Sequence, residues 1–136
     1  MDISVRNKGV YLPEDRSWLG SADGTGVCKP ATIAASLFTQ ATHFPQGFVK
    51  SGTVLARVTA AGATQGLYGP YTAGANNGLQ TPLGVLYNTT ALEVGGPNRA
   101  VPLQERGVII PAKLPANSGL DAAARTALGN RFIFRD

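Results

Sequence analysis

Acidic residues are missing from over half of this chain. Between Gly24 and Leu92 there is no Asp or Glu, and the only bases are Lys29, Lys50 and Arg57. That stretch therefore lacks the side chains that do most acid–base and hard-metal chemistry. Charged residues are only 15% of the whole chain, against about 25% in an ordinary soluble domain. A helical bundle needs charge on its outer faces, so so little of it argues against one.

Other shortages narrow the chemistry further. Cys28 is the only cysteine, which excludes an intramolecular disulfide and a thiolate cluster for zinc. It reads as a small apolar residue rather than a nucleophile. His43 is the only histidine, and the nearest upstream carboxylate is Asp23; such a histidine reads as structural rather than as a base or a ligand. There is no Gly-x-Ser-x-Gly elbow and no P-loop. Asp23-Gly24-Thr25-Gly26 holds two glycines of a dinucleotide loop, but Lys29 stands where the third belongs and no strand precedes it; it reads as a turn. The acids show no pairing of the kind a glycosidase needs. No catalytic, cofactor-binding or metal site is expected, and no cofactor. No segment approaches the roughly 18 apolar residues of a membrane helix. Met1–Arg16 does not look like a secretion signal, so synthesis in a cytoplasm is expected, and Asn88-Thr89-Thr90 is only a formal glycosylation sequon.

What the chain does have is Gly and Pro, 17 and 9 of them, in 136 residues that are 43% apolar. That mixture predicts a turn-rich, mainly β domain with much neutral surface, of the kind often buried against a partner. The net charge of +4 and pI of 9.6 come with no run of Lys or Arg, so nucleic acid is not an expected partner.

Residues 1–29 read as an arm, with scattered charge, several glycines and no sustained period. Its exception is Ser17-Trp18-Leu19-Gly20. The lone Trp18-Leu19 pair either folds back as a plug for its own core or anchors another protein. Residues 30–136 read as the folded domain. Alternation predicts a strand from Lys29 to Leu37, although its alanines leave a helix open, and the clearest strand from Thr53 to Ala60. Residues 62–81 read as a long loop pinned by Tyr68 and Tyr71, and a loop of that length is usually functional or partner-bound. Strands are expected at 83–88, 91–94, 100–104, 107–111 and 131–135. One helix is expected, capped by Ser118 with Asp121 in a capping box, with Leu120, Ala123, Ala124, Ala127 and Leu128 as its apolar stripe and Gly129 as a left-handed stop.

ASLFTQATHFPQGF (Ala35–Phe48), SGTVLARVTAAG (Ser51–Gly62), LYGPY (Leu67–Tyr71) and QTPLGVLYN (Gln80–Asn88) form an ordered string of motifs, preceded by Ser17–Ser21. LDAAARTALG followed by NRFIFRD closes the chain. Together they resemble the head decoration proteins of tailed bacteriophages. The chain is most similar to the form found in actinobacterial phages and prophages, and more distantly similar to the lambda type. The resemblance covers roughly residues 16–136.

The resemblance implies a small β-rich fold, a bent ribbon closing an incomplete barrel of the β-clip or β-tulip kind, with a short helix and an N-terminal arm. It implies a cementing protein on the outer surface of the virion head. Its partners would be the major capsid protein and two further copies of itself, as a homotrimer at three-fold and quasi-three-fold axes of the expanded shell. On that reading Trp18 and Leu19 are expected to face the capsid, with Ile3 and Val5 as further arm contacts. Tyr68, Pro70 and Tyr71 are expected to contact neighbouring subunits, or else to pack their own loop. Phe132 and Phe134 are expected in the core. The competing expectation is a virion-displayed module that binds carbohydrate or a host surface through the Tyr68–Tyr71 loop.

Overall fold

A computed structural model describes residues 14–136 of the chain. The alternating stretch after Gly52 forms β3 (Val54–Arg57), whose apolar side chains are buried on both faces. Leu55 packs with Ile33, Leu86 and Leu103, whereas Val54 packs with Val85, Ile109 and Leu128. A strand buried on both sides carries a nearly continuous apolar run, and Val-Leu-Ala is that run. β3 lies between β4 (Tyr68–Pro70) and β5 (Pro82–Leu86), both antiparallel to it. β7 (Arg99–Gln104) pairs with β5, and β1 (Lys29–Ile33) pairs antiparallel with β7 along its whole length. The ring β1-β4-β3-β5-β7 is closed. Its last seam is thin, because parallel β1 and β4 meet at the single register pair Ile33 and Tyr68.

Two small sheets flank the barrel: β2 (Phe48–Val49) with β6 (Thr90–Ala91), and β8 (Gly107–Ile109) with β9 (Phe132–Phe134). Helix α1 (Gln40–His43) is a single turn, and α2 (Ala122–Leu128) packs against β5. The chain is thus mainly β with a short helix near its C-terminal end, the class expected, and the barrel is closed where the resemblance implied an incomplete one.

Several local expectations change. The strand from Lys29 ends at Ile33, and Ala35–Leu37 form a 3-10 turn. Ala34 donates its N–H to the Tyr68 carbonyl, and the chain then turns off the sheet. The expected loop at 62–81 contains β4. Gly69 and Pro70 read locally as turn residues, yet Pro70 lies opposite Leu55, a placement that only the long-range partner reveals. The helix begins later than expected, and its cap is Asp121, whose carboxylate accepts the Ala124 N–H at 2.8 Å. Ser118 accepts a weaker bond from Leu120. Only Ala124 and Leu128 of the expected stripe are fully buried, and Gly129 keeps a right-handed helical conformation. Phe132 is buried, Phe134 packs beside it on the second cluster, and Ile133 is exposed.

The larger correction concerns the arm. From Glu14 onward the chain is strapped to the body. The Trp18 carbonyl accepts the Ile110 N–H at 2.7 Å, Gly20 donates to Val108 at 2.8 Å, and Leu19 bridges Ile109. The Trp18 ring is fully buried in the second cluster, and its Nε1 donates to Ser51 Oγ at 3.2 Å. Ser51 passes the bond on, donating to the Tyr87 carbonyl at 2.7 Å. Gly52 is required beside this indole. Its φ is +99°, and a Cβ there would lie 2.9 Å from Pro115 Cδ and 3.0 Å from Trp18 Nε1.

Trp18→Ala should therefore cost about 3–5 kcal/mol, as deletion of a buried aromatic does. Urea unfolding measures it directly. A loss below about 1 kcal/mol would mean that the indole is not a core residue.

Candidate interaction surface

No charged residue occurs between Val58 and Leu92. Within that stretch the β3–β4 hairpin loop and the loop after β4 form one neutral end of the barrel. The hairpin is closed by Val58 and Gly66, whose N–H groups donate to Leu67 and Val58 at 2.9 Å each. The Asn77 carbonyl then accepts the N–H groups of both Thr59 and Ala60, at 2.8 and 3.1 Å. It thereby ties the second loop to the first. Beneath them Ala56, Val58 and Leu79 make a third small cluster, with Ala75 packed against it. Ala60–Ala63 and Thr72–Gly74 stay exposed above it. A surface of Ala, Gly and Thr loses little side-chain entropy on burial and carries no charge to desolvate. Such a surface suits contact with a neighbour.

Of the residues expected to make contacts, the described ones lie elsewhere. Ile3 and Val5 fall outside the described residues. Trp18 is a plug of its own core, the first of the two readings its position allowed, and its fully buried ring is not available as a capsid-side anchor. Leu19 is half-buried against the same cluster and bridged to Ile109. Tyr68, Pro70 and Tyr71 are all buried within the chain. Tyr68 fills the barrel cluster, and the Tyr71 hydroxyl donates to the Asp121 carboxylate at 3.2 Å. Burial, with Asp121 alongside, raises the Tyr71 phenol above its ordinary value. Tyr71 thus braces the loop against the cap of α2, and the self-packing reading of these tyrosines is the one the structure shows.

The strap has a polar side that the sequence did not announce. The Thr89 N–H donates to Glu14 Oε1 at 2.6 Å. Arg16 Nε donates to the Tyr87 carbonyl at 3.0 Å, its guanidinium lies 4.2 Å from the Tyr87 ring centre, and it also reaches Asn88 Oδ1. Glu14 and Arg16 pair with each other at 3.5 Å. No local pattern ties Glu14 and Arg16 to residues 87–89, which lie far along the chain. The described part of the chain therefore begins beside the β5–β6 connection. Asp15 sits there in a cleft of about 280 Å³ with Lys50 and Lys113. The Ser17 N–H bond, helped by these lysines, holds the Asp15 carboxyl below its ordinary range.

The two nucleophile candidates are built into local structure. Cys28 Sγ lies 3.6 Å from the Thr25 carbonyl, and burial pushes the thiol up, away from the reactive thiolate. His43 Nδ1 accepts the Thr39 N–H at 2.9 Å, and its ring meets Phe38 edge-on. Among the described residues, no group of three or more His, Cys, Asp or Glu side chains is placed to hold a metal ion. No helix there is long and apolar enough to cross a membrane.

Burial lowers the His43 imidazole below its ordinary value. Its folded value therefore lies under its unfolded one. The stability it contributes is full above about pH 6.5 and is lost as pH falls through the folded value. Asp15 and Asp136, the latter held down by Arg125, lose theirs in the same direction but at lower pH. His43→Gln should flatten the fall in urea midpoint that begins as pH drops below about 6.5. An unchanged slope in that window would remove His43 as its source.

No family model matches this chain, and neither does any curated protein or solved structure.

Proposed function

We propose that this chain is a structural, non-catalytic decoration protein that binds the expanded head of a tailed phage. It sits as trimers at the three-fold and quasi-three-fold axes, on the outer surface of the virion, and braces the shell against the packaged genome. The observation that carries this reading is the ordered string of motifs from Ala35 to Asn88, together with the uncharged end that part of it builds. The exposed residues at 60–63 and 72–74 offer a surface that packs against protein without stranding a charge.

Attachment falls to residues 1–13 and to the neutral end, because Trp18 is committed to the interior. Three copies held together raise the effective concentration of each weak contact, so attachment of the set exceeds that of one. Binding only the expanded form stabilises that form by mass action. The adhesion reading relied on Tyr68 and Tyr71 as displayed rings, and with both buried it has no exposed aromatic platform in that loop.

The purified protein should co-sediment with expanded heads and not with the unexpanded precursor. Equal binding to both, or to neither, would falsify the selectivity. Removing residues 1–13 should weaken head binding while leaving the chain folded, since Glu14, Arg16 and Trp18 are all kept. Removing residues 1–20 takes the Trp18 plug as well and should lower the midpoint as Trp18→Ala does.

Ala61→Glu and Ala73→Glu place a charge on the neutral end at exposed sites. They should change folding stability by no more than about 0.5 kcal/mol yet reduce head binding. Full binding by both would move the contact to another face.

A further inference from the structure

We propose a head-to-tail contact between copies of this chain, in which the Glu93–Val94 tip of one copy seats in the groove across β1 of the next. This deepens the trimer reading above by naming the surfaces that meet.

The tip is a tight turn. Leu92 is buried at its base, Gly96 donates its N–H to the Glu93 carbonyl at 2.9 Å, and Gly95 takes φ +71°. That turn places Val94 at its outer corner, where 71% of the residue is exposed. Val94 is the most exposed of the large apolar residues described. Glu93 beside it forms no ion pair or side-chain hydrogen bond with any described residue. Every other described carboxylate accepts a hydrogen bond or pairs with a base: Glu14 and Asp15 in the strap, Asp23 with Arg106, Glu105 with Arg131, Asp121 at its cap and Asp136 with Arg125.

The groove is the complement. It runs along β1, about 440 Å³ in volume, and its lining includes Pro30, Thr32, Leu67 and Ala100 together with the bases Lys29 and Arg57. Neither base pairs with a described carboxylate, and neither has an acid within its own acid-free stretch of sequence. The occupant that fits is a small apolar corner carrying one negative charge. The tip is such an occupant, and every copy brings its own.

The two surfaces differ and lie close together in the chain. The tip leads into β7, and Ala100 near the start of β7 lines the groove. A contact between unlike patches of identical subunits is heterologous and closes into a ring when the rotation allows. The ion pairs are exposed, so each contributes at most about 1 kcal/mol and weakens as salt rises. The contact is weak singly and accumulates around a ring.

Disulfide trapping in a Cys28→Ser background tests it without any phage head. Chains carrying Val94→Cys are mixed with chains carrying Pro30→Cys, or Thr32→Cys should the first fail to fold, with diamide as oxidant. The expected product is a mixed dimer. It should be lost when Glu93→Lys is added to the first chain, and regained when the second also carries Lys29→Glu and Arg57→Glu. A mixed dimer no more abundant than one formed with Ala123→Cys on exposed α2, or one indifferent to Glu93→Lys, overturns the contact. Failed head binding with the crosslink intact would count against the capsid reading alone. A lost crosslink with head binding intact would remove only this contact.

Discussion

The burial of one indole and the single hydrogen bond it makes hold the architecture together. Trp18 Nε1 donates to Ser51, and Ser51 donates onward to the Tyr87 carbonyl. One side chain thereby joins the strap to the turn before β3 and to the end of β5. Take the Ser51 hydroxyl away and a buried N–H loses its partner, a cost of about 1–3 kcal/mol. Take the indole away and the second cluster loses its largest member, while Gly52 is still held to glycine by its φ of +99° and by Pro115. Val54, Val85, Ile109, Leu128 and Phe132 all pack in that cluster, so the barrel wall, β8, β9 and α2 share one support.

β3 and β5 are therefore partitions rather than walls. Each sends neighbouring residues into different clusters, Leu55 and Leu86 to one and Val54 and Val85 to the other. Over Val54–Ala56 and Gly84–Leu86 the two partitions have no solvent face on which to carry charge. This gives the missing charge a structural cause along the strands, separate from any role at a surface. Where the same neutral run leaves the barrel, at 60–63 and 72–74, no interior demands it, and there its neutrality is a property of the surface itself.

The fold class was legible in the sequence because it rests on alternation, glycine and proline. The strands at Thr53, Leu83 and Phe132 were legible for the same reason, being runs whose local pattern agrees with their final state. What was hidden depends on partners far along the chain. β4 looks like a turn until Leu55 lies opposite Pro70. The strap looks like an arm until Tyr87, Asn88 and Thr89 arrive to receive Glu14 and Arg16. Trp18 allowed two readings because a large aromatic in a charged, glycine-rich stretch suits either a plug or a hot spot, and only the presence of a cavity to fill decides between them. The tyrosines misled in the opposite direction. A loop rich in Gly, Thr and Asn suggested exposure, while Tyr71 was answering to Asp121 at the cap of a helix whose own start was placed too early.

The strap is translated before everything it touches. Ser51, Tyr87, Thr89, Val108 and Ile110 all come later in the chain, so its docking waits on contacts of long sequence separation, the slow kind in folding. Its indole is also the chain's only tryptophan. The tryptophan fluorescence of this protein is therefore a single-site signal, tied to one event: entry of the strap's indole into the second cluster.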